Sequence, residues 1–319
     1  MTNRNTWFAC LVWAAGLAPA EAFDLQAHRG GRGLWPENTL AAFRNAQAMG
    51  VTTLETDLAI TKDDIVVISH DPRLNADLTR GPDGKWLGAT GPTIRSLTRA
   101  DLAHYDIGRL NPESKYGQQF ATQKPIDGEQ FPTLGEFYAQ ASPGVRFNIE
   151  TKIDPRKPDD TLEPRRFTQL VIDQVRAAKM ERRTTLQSFD WRTLTEARRL
   201  APGIETACLS IDSGGMNTVA AQATGQPSLW LGGLDPAAHG GSIARLAKAA
   251  GCGTWSPFWR NVTAANVAEA QGLGLKVVPW TVNNPADMAA LIDLKVDGLI
   301  TDYPDRGLAV LKEKGLKPR

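Results

Sequence analysis

Cysteine is scarce: Cys10, Cys208 and Cys252 are the three in 319 residues, too few for a cysteine-rich metal cluster or a disulfide-dense scaffold. Net charge is almost absent as well. Lys and Arg total 36 against 35 Asp and Glu, leaving +1, which argues against nucleic acid as a partner and against adhesion to an anionic membrane through bulk charge. No apolar run reaches the roughly 20 residues that span a bilayer. No heptad or solenoid period stands out, and a composition 42% hydrophobic and 22% charged shows no disordered or collagen-like bias. These absences leave a chain long enough to bury a sizeable core, in one large domain or two small ones, in which any anion-binding site must be local.

The first residues read as a secretory signal over 1–22. Arg4 provides the positive start, Trp7 to Leu17 the apolar stretch, and Ala20-Glu21-Ala22 a small-residue cleavage site. The mature domain is expected to cover 23–319 and to be exported, periplasmic or secreted, with no stable membrane insertion after cleavage. Cys10 would be lost with the signal. Cys208 and Cys252 then either pair in an oxidising compartment or remain two buried thiols.

The stretch from Ala27 to Leu40 carries the strongest local signal. Phe23, Leu25 and Ala27 alternate with Asp24, Gln26 and His28, so a short strand puts its apolar side chains on one face and delivers His28-Arg29 to the glycine-rich turn that follows. Asn38 or Thr39 caps a helix through Leu40, Phe43 and Ala46 up to Gly50. Thr53 to Leu58 reads as a second strand with Glu55 and Asp57 on the same face, and Ile65 to Ile68 as an apolar run leading to His70-Asp71-Pro72.

From about 72 to 132 the periodicity dissolves into Gly, Pro, Asp and Asn, which marks an inserted cap or lid; Arg80, Lys85, Tyr105 and Lys115 are its candidate ligand contacts. Thr133 caps a helix through Ala141. Val145, Phe147 and Ile149 then alternate with Arg146, Asn148, Glu150 and Lys152, an apolar face opposite a wholly polar one.

Strands at Thr184 to Ser188, Ile204 to Ser210, Gly253 to Ser256, Lys276 to Val282 and Gly298 to Asp302 follow, with helices expected over Asp190 to Leu200, after Gly214, over Thr263 to Gly272 and over Ala286 to Leu294. Trp230 to His239 reads as a second, smaller insertion. Eight strands in parallel alternation fit an α/β fold of the TIM-type (β/α)8 barrel better than an open sheet, with a small inserted subdomain after the second strand.

In such a barrel His28, Glu55, Asp57, Glu150 and Lys152 share one mouth. Taken singly, each has a plainer role, as a solvated strand edge, an ion pair or a turn histidine. Crowded together, the carboxylates require a cation to offset their repulsion, and an all-oxygen donor set suits Ca2+ or Mg2+ rather than zinc. His28 and His70 suit two proton transfers near neutrality, and Arg29 and Lys152 suit an anionic oxygen. The group that best fits this set is a phosphodiester.

The His28-Arg29-Gly30 turn with Pro36-Glu37-Asn38-Thr39, Glu55-x-Asp57, His70-Asp71, Glu150-x-Lys152, Trp280-Thr281-Val282-Asn283 and Asp297 to Pro304 together resemble the glycerophosphodiester phosphodiesterase family, in order along the mature chain. The resemblance implies a TIM-type barrel and hydrolysis of a small-molecule glycerophosphodiester to glycerol 3-phosphate and an alcohol. It also implies that the glycerol hydroxyl next to the phosphate is able to attack first. It carries over His28 and His70 as the acid-base pair, Glu55, Asp57 and Glu150 as ligands of a divalent cation, and Arg29 and Lys152 as phosphate contacts. Trp280 falls at the glycerol side. A phospholipase D of the sphingomyelinase D type, acting on lysophospholipids, is the alternative; it calls for an apolar loop beside the mouth, for which Trp255 to Trp259 is the candidate. A secreted phosphodiester-binding protein would need neither both histidines nor all three acids.

Overall fold

The computed structural model describes residues 22–318. Apart from Ala22, the expected secretory signal lies outside them, and Cys10 with it. The chain opens with β1 (Ala22–Ala27), α1 (Leu40–Met49), β2 (Thr53–Ile60) and β3 (Val66–Ile68). Three short helices follow, α2 (Arg99–Leu102), α3 (Lys115–Gln119) and α4 (Leu134–Ala139). Alternation then runs β4 (Arg146–Thr151), α5 (Pro164–Ala177), β5 (Thr184–Ser188), α6 (Trp191–Leu200), β6 (Glu205–Ser210), α7 (Ile243–Ala249), β7 (Thr254–Pro257), α8 (Ala264–Gly272), β8 (Lys276–Val277), α9 (Pro285–Asp293), β9 (Gly298–Thr301) and α10 (Pro304–Glu313), with β10 (Lys317–Pro318) pairing β1.

Strands β1, β2 and β4 to β8 are hydrogen-bonded side by side, all parallel, and β9 returns to pair β1. Between β8 and β9 the seam is bridged by Asp297 N–H to Val277 O (2.9 Å), Ile300 N–H to Pro279 O (3.0 Å) and Val282 N–H to Ile300 O (2.9 Å). The result is the expected α/β barrel of TIM type. The expected strand over 276–282 shortens to Lys276–Val277 because Pro279 has no N–H to give to the ladder.

Period-two alternation assigns the faces. Leu54, Leu58, Phe147 and Ile149 are fully buried, and with Phe43, Phe167, Val171, Trp191 and Leu194 of the surrounding helices they belong to one hydrophobic core. Burying each such side chain is worth about 1.5–3 kcal/mol. The opposite faces send Gln26, Glu55, Asp57, Asn148, Glu150 and Gln187 into the barrel. Register decides which of these meet: Asp57 is the Cα partner of Glu150 across β2 and β4, and Glu150 that of Gln187 across β4 and β5. Ala27 pairs Thr301 across β1 and β9, so one residue further on His28 stands beside Asp302. Antiparallel β3 brings the chain back along β2, and Ser69 N–H donates to Asp57 O at 3.0 Å; that return delivers His70 to the same end.

The insertion lies between β3 and α4 and has its own core of Leu74, Leu78, Ile94, Leu102, Ile107, Leu110, Phe120 and Phe131, seated on Ala59 and Val67 of the barrel. The helix expected after Gly214 starts only at Ile243, as α7. Gly214, Gly215, Gly225, Gly232 and Gly233 break the segment into turns, and its regular pieces are 3-10 turns at Leu229–Leu231 and Pro236–His239. Cys208 and Cys252 form a disulfide joining β6 to the entry of β7, with Cα atoms 5.9 Å apart. Among the described residues no helix is long and apolar enough to cross a membrane.

Candidate active site

At the C-terminal end of the strands a cavity of about 150 Å³ is lined by His28, Arg29, Arg32, Glu55, His70, Glu150, Lys152, Gln187, Phe189, Trp280 and the exposed Met216 among others. Of the catalytic, metal and substrate residues named for the family resemblance, all line this space except Asp57, which is buried. Glu55, Asp57 and Glu150 each present a carboxylate oxygen within 4.8 Å of the other two.

The turn after β1 is built for close approach. Arg29 adopts a left-handed conformation (φ 51°), followed by Gly30 and Gly31 at φ 80° and 88°, and a Cβ on Gly30 would lie 2.9 Å from that of Ala42. This backbone aims Arg29 N–H at Glu55 Oε2 (2.9 Å). Gln187 Nε2 donates to the other oxygen, Glu55 Oε1, at 2.7 Å. His28 gives Nδ1 to Asp302 Oδ1 (2.6 Å), which leaves Nε2 facing Glu55 Oε2 at 3.9 Å. His70 is held likewise through Nδ1, by Asp71 Oδ1 at 2.9 Å, and Asp71 is anchored by Asn75. Both imidazoles therefore keep Nε2 free of these carboxylate partners.

Three cations face the carboxylates. Arg29 donates from Nη1 to Glu37 Oε1 (2.8 Å) and places Nε 3.1 Å from Asp57 Oδ2. Lys152 Nζ lies 3.0 Å from Glu150 and 3.8 Å from Asp57 Oδ1. Arg32 Nε donates to Asp302 Oδ1 at 2.7 Å. Burial pushes Glu55 well above the usual carboxylate range, with Asp57 adding to it, and raises Glu150 to about 7 despite Lys152. Burial opposes ionisation of Asp57 too, but Arg29, His70 and Lys152 together hold it low. Burial and the Arg32 charge bring His28 down to about 4, and burial with Arg29 and Lys152 lowers His70, so both rings are neutral at pH 7.

The donor set fits a divalent cation. Asp57 Oδ1 is buried without a hydrogen-bond partner, an orphan acceptor of the kind a bound ion satisfies. Carboxylates outnumber the cations beside them, Arg29, Arg32 and Lys152, and a bound ion would offset the repulsion among Glu55, Asp57 and Glu150. All the donors are oxygens, as Ca2+ or Mg2+ prefers.

One side of the mouth is apolar. Trp280 meets Phe189 edge to face at 5.2 Å, its indole N–H tied to Ser256 O at 2.9 Å. Of the candidate apolar loop at Trp255 to Trp259, Trp255 is 3% exposed, donates to Ser210 Oγ and belongs to the core, whereas Phe258 is half-buried and packs against Trp280 with ring centroids 5.6 Å apart. The four insertion candidates do not line the cavity. Arg80 is taken up by Asp106 and Asp127, and Tyr105 packs on the insertion core. The insertion reaches the site through Tyr116 instead, whose hydroxyl donates to Glu37 Oε2 and accepts from Arg32 Nη1 at 3.0 Å.

The sequence model of the glycerophosphoryl diester phosphodiesterase family matches residues 28–306. The chain belongs to that family. Among its relatives, a glycerophosphodiester phosphodiesterase of Caldanaerobacter subterraneus is 27% identical over 91% of this chain and 98% of its own length. One from Bacillus subtilis is 29% identical over 88% and 83%. A crystal structure of a candidate glycerophosphoryl diester phosphodiesterase from Silicibacter pomeroyi superposes with a TM-score of 0.81, at 31% identity, covering 95% of this chain and 97% of that one. Membership makes this an enzyme of phosphodiester hydrolysis. Asp302, Asn283 and Glu37 lie inside motifs of the family resemblance yet carry no role in the sequence reading, because their function is to hold His28 and Arg29 across contacts that no local spacing encodes. Asn283 secures Asp302 twice, from Nδ2 to Oδ2 (2.7 Å) and by accepting Asp302 N–H (3.0 Å).

Proposed function

We propose that this glycerophosphodiester phosphodiesterase cleaves its substrates to glycerol 3-phosphate and an alcohol through His28 and His70, with a divalent cation at Glu55, Asp57 and Glu150. The observation that carries this reading is the convergence of two carboxylate-anchored imidazoles with Glu55 and Glu150 on one cavity of about 150 Å³, Asp57 lying within 4.8 Å of both carboxylates. A cation on the three carboxylates would act as a Lewis acid toward a phosphoryl oxygen. One imidazole, neutral, takes the proton of the attacking oxygen at Nε2; the other, once the anionic phosphodiester beside it favours its protonated form, delivers its Nε2 proton to the departing alkoxide, each ring held for the task through Nδ1. Arg29 and Lys152 lend positive charge to the phosphoryl oxygens, and Trp280 with Phe189 forms the wall against the glycerol carbons. Export through the leader at 1–22 completes the reading; the Cys208–Cys252 disulfide supports an oxidising compartment.

The test is release of glycerol 3-phosphate from glycerophosphocholine and glycerophosphoethanolamine, with lysophosphatidylcholine vesicles in parallel, with Ca2+ or Mg2+ and with chelator. Release from the soluble diesters, lost with chelator and in His28→Ala while calorimetric Ca2+ binding persists, is expected. Cleavage confined to the vesicles would favour the phospholipase D alternative, and a stable complex with uncleaved diester the binding protein.

A further inference from the structure

The turn after the His28-Arg29 pair carries a third cation with no role so far. Arg32 lines the mouth cavity, and its side chain is 16% exposed. We propose that Arg32 is a substrate-binding residue, offering the free edge of its guanidinium to a phosphoryl oxygen; the inference rests on the phosphodiesterase reading above.

The three cations differ in the donors they have left to offer. Arg29 is 7% exposed, with Nη1 on Glu37 and Nε against Asp57, and Lys152 is held by Glu150 and Asp57. Both are largely matched by protein carboxylates. Arg32 spends Nε on Asp302 and one Nη1 hydrogen on Tyr116; its Nη2 has no protein partner among the described residues. A guanidinium has five N–H donors in a planar fork, so an edge suited to an oxyanion remains.

That edge is aimed. Phe120 and Tyr116 lie against the guanidinium, with ring centroids 5.1 and 5.8 Å from its central carbon, an arrangement that occupies the cation's surroundings without consuming its hydrogens. Gln123 Nε2 donates to Arg32 O, and Lys124 N–H to Leu34 O, both at 2.8 Å. The insertion thus clamps the turn on either side of Gly33. Arg32 and His28 share one atom, Asp302 Oδ1, so an anion on Arg32 lies alongside the imidazole. The insertion's contribution to the site is to present this cation.

The test is calorimetric titration of glycerol 3-phosphate into the Ca2+-loaded full-length enzyme, wild type and Arg32→Gln, Arg32→Lys and Tyr116→Phe, with thermal melts and glycerophosphocholine kinetics in parallel. Loss of a charge-assisted hydrogen bond predicts roughly ten- to a hundredfold weaker binding in Arg32→Gln, partial recovery in Arg32→Lys, and a smaller loss in Tyr116→Phe, which keeps the ring. Should Arg32→Gln fail to fold, Arg32→Lys and Tyr116→Phe decide. Binding within twofold of wild type in the folded variants, with kcat alone reduced, would overturn the proposal and leave Arg32 a positioning residue for Asp302. Wild type that binds glycerol 3-phosphate but cleaves no diester would instead overturn the functional reading alone.

Discussion

Gln187 Nε2 donates to Glu55 Oε1 at 2.7 Å, and through it one carboxylate of the mouth is tied to a polar chain inside the barrel. Asn148 Nδ2 donates to Gln187 Oε1 (2.9 Å) and to Gln26 Oε1 (2.8 Å), and Gln26 Nε2 to Asp24 Oδ2 (2.9 Å). Such outer partners fix the orientation of a metal-binding carboxylate. Gln187→Ala is expected to weaken Ca2+ binding by roughly 10–100-fold with little change in the melting of the barrel. Calorimetry on the two purified proteins reads it directly, and equal affinities would remove Gln187 from the site.

Cation binding should also depend on pH. Glu150 is raised to about 7 by burial, and Glu55 lies well above its ordinary range for the same cause, so below about pH 7 a cation must displace a proton to bind. Affinity is therefore expected to fall as pH is lowered from 8 to 6, with proton release on binding that shows as a buffer-dependent heat. Asp57, held ionised by Arg29, His70 and Lys152, contributes no such dependence in this window. Identical affinity at pH 6 and 8 would contradict the crowding described here.

Asp302 is placed to set the tautomer of His28. Its Oδ1 accepts from Nδ1 at 2.6 Å, and burial is outweighed by Arg32 and His28, so the carboxyl stays ionised. Asp302→Asn keeps the shape but removes the charge that orients the ring, and kcat is expected to drop by about 10²–10⁴-fold. Ca2+ affinity should be nearly unchanged, since Asp302 is outside the three-carboxylate group. A variant with normal kcat would show that His28 needs no such support.

How much of this was open to a reader of the sequence follows from what spacing encodes. Glu55 and Asp57 are two residues apart on one strand, and Asn148 and Glu150 likewise, so strand alternation alone puts each pair on one face; parallel alternation then makes that face an interior. The partner of His28 is 274 residues away and is set by the β1–β9 register, which composition and periodicity do not carry. The helix expected after Gly214 is delayed to Ile243 for a local reason, the density of glycine in the segment before it. The insertion's contact with the site was legible as a polar excursion but not as Tyr116, because a tyrosine amid turn residues looks the same whether it faces solvent or Arg32.

The disulfide closes 44 residues of sequence between Cys208 and Cys252. On the chain-entropy account such a loop stabilises the fold by up to about 4 kcal/mol, which for a chain of this length corresponds to a melting temperature lower by roughly 5 °C on reduction. Cys208 and Cys252 lie in the hydrophobic core and do not line the mouth cavity, so kcat measured well below the transition should hold in the Cys208→Ala/Cys252→Ala double variant. Loss of activity at full folding would place the bridge in the chemistry instead.

Gly33 tests whether the turn bearing Arg32 must lie where it does. A Cβ there would fall 2.4 Å from Tyr303 Cε1 and 2.5 Å from Cζ, and a retreat of that ring would disturb the stacking of Arg306 on it at 3.7 Å. Gly33 N–H donates to Asp302 O at 3.0 Å, so a shifted turn also disturbs the residue that holds His28. Gly33→Ala is expected to cost about 1–3 kcal/mol of stability as overpacking, and to lower kcat/KM for glycerophosphocholine beyond what the lost stability explains. Gly203→Ala is the control, since nothing lies within 4 Å of its added carbon. If both variants melt and turn over like wild type, the contact between the turn and Tyr303 is not a constraint on the site.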